Sequence, residues 1–162
     1  MTIAIAHHHR WCSFRLGQDC FAVAAADVVE VLRSRRLARV PLAAAGVLGL
    51  VQLRGRIVPV IDPAITLGVA RDPVARPPTH LVIAVGDDWY GLAVDEMLDV
   101  IEIPAERVER PAATALRAGS VAGTFAAAER LVHLLDPEHL IHSLVRQPLH
   151  QGLSRGGAHG SG

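Results

Sequence analysis

The chain has 162 residues, of which 51% are hydrophobic and 20% are charged, so it is suited to forming a folded core and is not a disordered chain. Sixteen basic residues, all arginine, balance sixteen acidic ones, which argues against a strongly basic nucleic-acid-binding protein. The absence of lysine excludes a P-loop, no apolar run approaches the roughly 20 residues of a membrane helix, and the N-terminus lacks a secretory signal pattern. We therefore expect a cytoplasmic protein with no nucleic-acid partner and no direct membrane insertion.

The two ends of the chain are poor in structural signal. His7, His8 and His9 stand in a row, and three adjacent histidines in a regular element cannot all face one metal, so a solvated end is expected. Residues 147–162 have too little apolar surface to offset the entropy of ordering, which predicts a disordered tail. The folded domain is expected to end near residue 146.

The first half of the folded region reads as short strands separated by turns. A hairpin is predicted to turn at Gly17, and a second hairpin is predicted to pair Val47–Leu53 with Arg56–Ile61. Asp62 followed by Pro63 is typical of a helix N-cap with proline in the first turn.

The second half repeats this pattern. Residues 17–32 align with residues 86–101 at a constant offset of 69, and residues 47–63 align with residues 121–137 at an offset of 74. The repeat predicts two similar halves, subdomain one over about 12–74 and subdomain two over about 79–146, joined by a proline-rich link. Each half is too small to bury much alone, so we expect curled β-barrels that share a core, followed by a C-terminal helix from Pro137.

Pro59 lies inside a predicted strand. Because proline cannot donate to a ladder, it marks either an edge, which would expose Ile57 and Val60 to a partner, or a bend at a barrel corner. The sequence does not decide between these two interpretations.

The clearest difference between the halves is the turn of the second hairpin. Arg54 and Gly55 occupy it in the first half, whereas Ala128 and Glu129 occupy it in the second. Gly55 supplies the positive φ of a tight turn, and an arginine fixed there could contact a carboxylate through both guanidinium nitrogens. A solvated surface charge is the alternative interpretation.

The run VLGLVQLRGRIVPVID at residues 47–62 resembles the signature of CheW-type coupling proteins, in which Asn-Leu-Arg-Gly is followed by a proline and an aspartate in an apolar strand. Further segments resemble the same family over residues 14–141, namely 21–23, 28–32, 40–41 and 90–95. Gln52 replaces the usual asparagine, and Pro63-Ala64 replaces the usual Leu-Arg.

The resemblance implies two SH3-like five-stranded barrels, packed side by side, in a non-catalytic adaptor without a cofactor. Such adaptors link the cytoplasmic tip of methyl-accepting chemoreceptors to a CheA-type histidine kinase in membrane-associated arrays. Carried over by position, the receptor-side residues are Val28, Glu30, Gly49 and Arg54. Gly55 and Pro59 complete the expected partner-binding set, because Gly55 fixes the turn and Pro59 marks the surface expected to meet the kinase.

The competing hypothesis is a small β-barrel metal-binding protein or hydrolase that uses His133, His139 and His142. His139 and His142 are three residues apart on a predicted helix and so share a face. A zinc site needs three or four convergent ligands, and His133 lies on the preceding strand. Cys12 and Cys20 suggest buried thiols and no catalytic triad.

Overall fold

The computed structural model describes residues 10–33, 35–71, 78–110 and 119–145. Within these residues the fold consists of ten strands, two α-helices and two short 3-10 helices. The strands are β1 (Arg10–Leu16), β2 (Asp19–Ala24), β3 (Val28–Leu32), β4 (Val47–Leu53), β5 (Arg56–Ile61), β6 (Thr79–Val85), β7 (Asp88–Val94), β8 (Glu96–Glu102), β9 (Val121–Ala127) and β10 (Arg130–Leu135), and the helices are α1 (Pro63–Leu67) and α2 (Pro137–Val145). The expected disordered tail, 147–162, lies outside the described residues.

The strands form two five-stranded sheets. Barrel one has the strand order β8-β1-β2-β10-β9, and barrel two has the order β3-β6-β7-β5-β4. In both sheets neighbouring strands run antiparallel, except for one parallel pair in each sheet. This pair is β2 with β10 in barrel one and β5 with β7 in barrel two. The mainly β fold with two five-stranded units, which the sequence predicts, is therefore present.

The repeat is visible in the element order, because β1–β5 followed by α1 corresponds to β6–β10 followed by α2. The offset of 69 places β1 on β6, and the offset of 74 places β4 on β9 and β5 on β10 with identical bounds. Each barrel, however, takes two strands from one repeat and three from the other.

The expected subdomain bounds, 12–74 and 79–146, are therefore wrong for the barrels. Barrel two is built from the continuous segment 28–94, and it is inserted between the first two and the last three strands of barrel one. The physical reason is that β3 pairs with β6 and β8 pairs with β1, so the third strand of each repeat completes the sheet of the other. Local patterning identifies strands but carries no signal for this exchange.

Three apolar clusters fill the molecule. One lies inside each barrel, and the third lies between the barrels, where strands of both sheets meet the helices. The shared cluster contains Phe14 and Phe21 from barrel one and Leu81 and Leu92 from barrel two, each fully buried. The expectation of a core shared between the two units is met by this third cluster.

The two helices begin and end for local reasons. The Asp62 carboxylate accepts a hydrogen bond from the Ala64 N–H (3.1 Å) and caps α1, and Gly68 ends that helix with a positive φ of 64°. In α2 the buried stripe is formed by Leu140, Ile141 and Leu144, which join the shared cluster.

An ionic network holds the junction where the chain passes from barrel two back to barrel one. Asp95 is the single residue between β7 and β8, and its carboxylate accepts the Gly17 N–H (2.6 Å). Arg71 lies between Asp62 (3.1 Å) and Asp95 (3.8 Å) and also donates to the Ala93 carbonyl. Because Asp95 is only 9% exposed, these contacts fix the crossing point.

Pro59 does not lie on an edge strand, since β5 runs between β7 and β4. Leu50, which faces it on β4, directs both its N–H and its carbonyl to Ala38 on the other side. Pro59 thus occupies a non-hydrogen-bonded position, and the ladder with β7 starts only at Val60. The expected exposure of Val60 is wrong, because this side chain is fully buried inside barrel two.

Candidate functional site

Two of the predicted receptor-side residues contact each other on barrel two. Arg54 Nη2 lies 3.3 Å from Glu30 Oε2, so the turn between β4 and β5 is joined to strand β3. The arginine is 61% exposed and the glutamate 34% exposed, which makes this a surface pair of modest strength. Its geometric effect is to hold the guanidinium beside an edge strand instead of leaving it free in solvent.

The turn that carries Arg54 is strained in a defined way. Arg54 has φ 50° and Gly55 has φ 75°, the pair of positive values that a type I′ hairpin turn requires. The expected positive φ of Gly55 is confirmed, and a Cβ atom at Gly55 would meet nothing within 4 Å. Arg54 adopts a conformation that most side chains avoid, which is notable because a glycine or asparagine would fit the turn better.

Gly49 is needed for a close contact. A Cβ atom at this position would lie 2.7 Å from the Ala38 carbonyl oxygen and 2.8 Å from Leu37 Cβ. The segment at Ala38 bonds to Leu50 in both directions at 2.9 Å and covers the outer side of β4. Gly49 therefore permits the segment that precedes β4 to pack against barrel two.

Val28 begins β3 and is partly buried against the shared cluster. It follows the short 3-10 turn Ala25–Asp27 that joins the two barrels. Val28 and Glu30 thus lie on an edge strand close to the junction, whereas Gly49 lies within β4 and Arg54 follows its last residue. The structure places all four predicted receptor-side residues on barrel two.

The outward face of the β4–β5 hairpin is apolar except for Gln52, and we call its apolar part the hairpin face. It consists of Leu48 and Leu50 on β4 and of Ile57 and Pro59 on β5. Ile57 is 70% exposed, and Leu48 is also exposed. The proline in β5 drew attention to Ile57 and Pro59 but not to Leu48 and Leu50. The alternation of side chains along β4 could have indicated Leu48 and Leu50, because Gly49 and Val51 point inward.

The three histidines of the competing hypothesis are held separately by structural contacts. His133 packs against the ring of Phe21 with ring centres 5.2 Å apart, and His142 is exposed. His139 Nδ1 lies 3.1 Å from the Ser120 hydroxyl and 3.3 Å from the Ser143 hydroxyl. Within the described part of the chain, no group of three or more His, Cys, Asp or Glu side chains is arranged to hold a metal ion.

The two thiols are also poor candidates for chemistry. Burial raises the pKa of Cys20 and of Cys12 above the usual value for a thiol, so the thiolate form is disfavoured at neutral pH. Both cysteines are free, with Cys20 buried inside barrel one and Cys12 partly buried.

Comparison with known proteins identifies the fold and the family. The family model described as CheW-like domain matches residues 10–145, which includes every strand and both helices. The chain belongs to the CheW family. A relative in that family, the chemotaxis protein CheW of Klebsiella aerogenes, is 30% identical over 135 residues, which cover 80% of each chain.

Shorter alignments link the chain to other CheW-family proteins. The protein PilI of Pseudomonas aeruginosa is 31% identical over 93 residues, and a probable chemotaxis protein CheW of Rhizobium etli is 33% identical over 100 residues. These alignments cover 57% and 60% of this chain, and they span 52% of PilI and 63% of the Rhizobium protein, less than two thirds of either.

A solved structure shares the architecture. The scaffolding protein TtCheW from Thermoanaerobacter tengcongensis superposes with a TM-score of 0.76, covering 82% of this chain and 92% of that chain at 22% identity. This similarity shows a common CheW fold. Among the described residues, no helix has the length and apolar character needed to span a membrane.

Proposed function

We propose that this protein is a non-catalytic scaffold that couples chemoreceptors to a CheA-type histidine kinase. The observation that carries the proposal is the CheW-like family match, which extends over the whole described fold, residues 10–145. Relatives named as CheW chemotaxis proteins and a similar structure named as a scaffolding protein support it. Membership of a family of scaffolds also argues for binding surfaces in place of a reaction centre.

The kinase is proposed to dock on the hairpin face of barrel two. An exposed apolar face on an otherwise soluble fold is a typical protein-binding surface, and Ile57 is its most exposed large side chain. Pro59 adds a rigid apolar side chain to this face opposite Leu50. Because the hairpin face carries no charge, binding there should depend weakly on salt.

The receptor tip is proposed to contact the adjacent surface at Val28, Glu30 and Arg54, while the buried Gly49 acts indirectly by letting the preceding segment pack against β4. The Glu30–Arg54 pair keeps the guanidinium near β3, and Gly55 provides the positive φ that the turn needs. A guanidinium held in this way can form paired hydrogen bonds to carboxylates or to backbone carbonyls of a helical partner. Barrel two would then hold two partners on neighbouring surfaces, and the protein would be recruited to receptor arrays at the membrane.

The proposal is tested by reconstitution. Receptor cytoplasmic fragments from the source organism are tethered to vesicles, and sedimentation of the purified kinase is measured with and without the full chain. The expected result is that the kinase sediments only when receptor, kinase and this protein are all present. Failure of this protein to bind either the receptor fragment or the kinase would contradict the proposed function.

A further inference from the structure

A strongly basic segment joins β3 to β4, and we call residues 33–42 the arginine loop. It carries four arginines in seven positions, Arg33, Arg35, Arg36 and Arg39. The whole interval 31–61 contains six arginines and no acidic residue, although the chain as a whole is neutral. The positive charge is therefore concentrated on barrel two.

The charges of the arginine loop are available for a partner. All four arginines are exposed, and within the described part of the chain none of them forms an ion pair. The loop ends in an exposed apolar tip, where Val40 is exposed and Leu42 is 93% exposed at a positive φ of 61°. Because the unpaired guanidinium groups lie next to an apolar tip, the loop presents both charged and apolar groups to a partner.

The arginine loop is also held in place. Ala38, in the middle of the loop, exchanges two hydrogen bonds with Leu50 of β4. Gly49 permits this contact, since any side chain there would meet Ala38 and Leu37. The loop thereby lies along β4, the strand that leads into the turn carrying Arg54.

The opposite charge lies elsewhere on the molecule. The interval 87–109 contains eight acidic residues and one arginine, and it runs from the start of β7 in barrel two through β8, one of the two edge strands of barrel one. The chain as a whole carries no net charge, which disfavours an extended polyanion such as nucleic acid as the partner of the arginine loop. A short acidic segment of a protein would contact the basic surface alone.

We propose that the arginine loop binds a carboxylate-rich, apolar-faced segment of the receptor, and so determines which receptor the scaffold accepts. This inference rests on the proposed function, because it assigns a chemistry to the receptor-side partner. The guanidinium groups bind the carboxylates, and the tip at Val40 and Leu42 packs against the apolar residues between them. Each exposed contact is weak, so affinity comes from several arginines acting together and falls with salt.

The test compares two matched double substitutions in the full chain. The loop variant carries Arg35→Gln and Arg36→Gln, and the control variant carries Arg10→Gln and Arg110→Gln, which remove the same charge from exposed positions on barrel one. Binding to a receptor cytoplasmic fragment and to the kinase is measured at low and at moderate salt, together with melting curves.

We expect the loop variant to bind the receptor fragment about fivefold more weakly at low salt, with a smaller salt dependence than the original protein. The control variant should bind normally, and kinase affinity should be unchanged in both. Equal receptor binding by the loop variant, or equal loss in both variants, would overturn the inference while leaving the proposed function intact. Absence of receptor and kinase binding in the original protein would instead overturn the proposed function.

Two further probes distinguish the class of partner. The same proteins are tested against vesicles containing phosphatidylglycerol and against a DNA duplex at physiological salt. We expect no loop-dependent binding to either probe. Binding to vesicles or DNA that disappears in the loop variant and persists in the control variant would show that the loop recognises phosphates, and would overturn the assignment to an acidic protein segment.

Discussion

The hairpin of β4 and β5 and its repeat-related counterpart, formed by β9 and β10, have the same register but different outer surfaces. Leu50 faces Pro59 in the first hairpin, and Thr124 faces His133 at the equivalent place in the second. Each hairpin is also covered on its outer side by a short bridge, at Leu50 and at Thr124. The backbone is thus conserved between the two copies, whereas the apolar face occurs in one of them.

The turns of these two hairpins also differ, both in backbone conformation and in charge. Arg54 and Gly55 both have positive φ, whereas neither Ala128 nor Glu129 does. Because the second hairpin closes without such a turn, the strain at Arg54 is not required for pairing β4 with β5. The comparison teaches that the fold tolerates either turn, so the positive φ at Arg54 is not a requirement of this hairpin architecture.

The largest effect is expected at the junction between β7 and β8, where the second repeat has the carboxylate of Asp95. Asp95 corresponds to Ala26 in the first repeat, at the offset of 69. Asp95→Ala should reduce the free energy of unfolding by about 3 kcal/mol, because it leaves the Gly17 N–H without its acceptor and removes one of the two carboxylates beside Arg71. Chemical denaturation measures this, with Asp99→Ala at an exposed position as the control. A loss below about 0.5 kcal/mol would show that the network does not hold the barrels together.

The second test asks whether the turn at Arg54 contributes to receptor binding and the repeat-related turn at Glu129 does not. Arg54→Ala should weaken receptor binding by about 30-fold, equivalent to about 2 kcal/mol, if the guanidinium lies at the centre of that contact. Stability should change by no more than about 0.5 kcal/mol, because the side chain is exposed. Arg54→Lys should restore binding only in part, since an ammonium group lacks the planar fork.

The matched control for this turn is Glu129→Ala in barrel one. It removes an exposed charge at the repeat-related turn and should leave receptor binding unchanged. Calorimetric titration and melting curves on the same samples decide the point. Normal receptor binding by a folded Arg54→Ala protein would show that the turn is not part of the receptor contact. Loss of folding would show that Arg54 is needed for the stability of the protein.

A third test uses two exposed positions related by the offset of 74. Ile57→Asp should weaken kinase binding about tenfold or more, because it places a charge in the centre of the hairpin face. Leu131→Asp is the matched control on barrel one and should bind the kinase like the original protein. Both positions are exposed, so neither change should lower the melting temperature appreciably. Equal loss of binding in the two variants would indicate that both barrels dock the kinase.

The fourth test addresses the interiors of the barrels. His80 of barrel two corresponds to Trp11 of barrel one, and both are buried. Burial lowers the pKa of His80 below its usual value of 6.5, and among the described residues its Nδ1 atom has no hydrogen-bond partner. The unfolded chain therefore binds more protons than the folded one below about pH 6.5, so stability falls as the pH decreases.

A difference of one proton corresponds to at most about 1.4 kcal/mol per pH unit in the free energy of unfolding. Denaturation between pH 7.5 and pH 5 should show part of this slope, and His80→Phe should reduce it. The control is His142→Gln, which changes an exposed histidine of α2. If His80→Phe leaves the pH dependence unaltered, the buried imidazole is not its source.

The smallest effect is expected from the sequence that follows the second repeat. Deleting residues 151–162 should leave the melting temperature within experimental error, because these residues offer few apolar anchors. A decrease of several degrees would show that the segment packs against the fold.

Much of the strand pattern could be predicted from the sequence because it depends on local chemistry. The bounds of β4 and β5 follow from alternation and from the Arg54-Gly55 turn, and the helix at Pro63 follows from the Asp62 cap. These signals act over a few residues and recur in the second repeat. The pairing of β3 with β6 could not be predicted in this way, because it joins residues about 50 positions apart and leaves no mark in either strand alone.

The candidate site was accessible to sequence reasoning only in part. Arg54 was found because its turn differs between the repeats, but its contact with Glu30 depends on how barrel two curls. Gly49 was carried over from the family resemblance, and the reason for glycine there is the approach of Ala38, which is a tertiary contact. Val60 was misplaced because positions 57 and 60 point to opposite faces of β5, so an exposed Ile57 implies an inward-facing Val60.

The insertion of barrel two within barrel one has a consequence for the order of folding. All five strands of barrel two are present once residue 94 has been synthesised, whereas barrel one needs β10, which ends at Leu135. Closing β1 onto β8 spans about 85 residues, so its loop-closure entropy is larger than that of any pairing within barrel two. We expect pulsed hydrogen exchange to protect the amides of β6 and β7 before those of β1, and the reverse order would show that the N-terminal hairpin directs assembly.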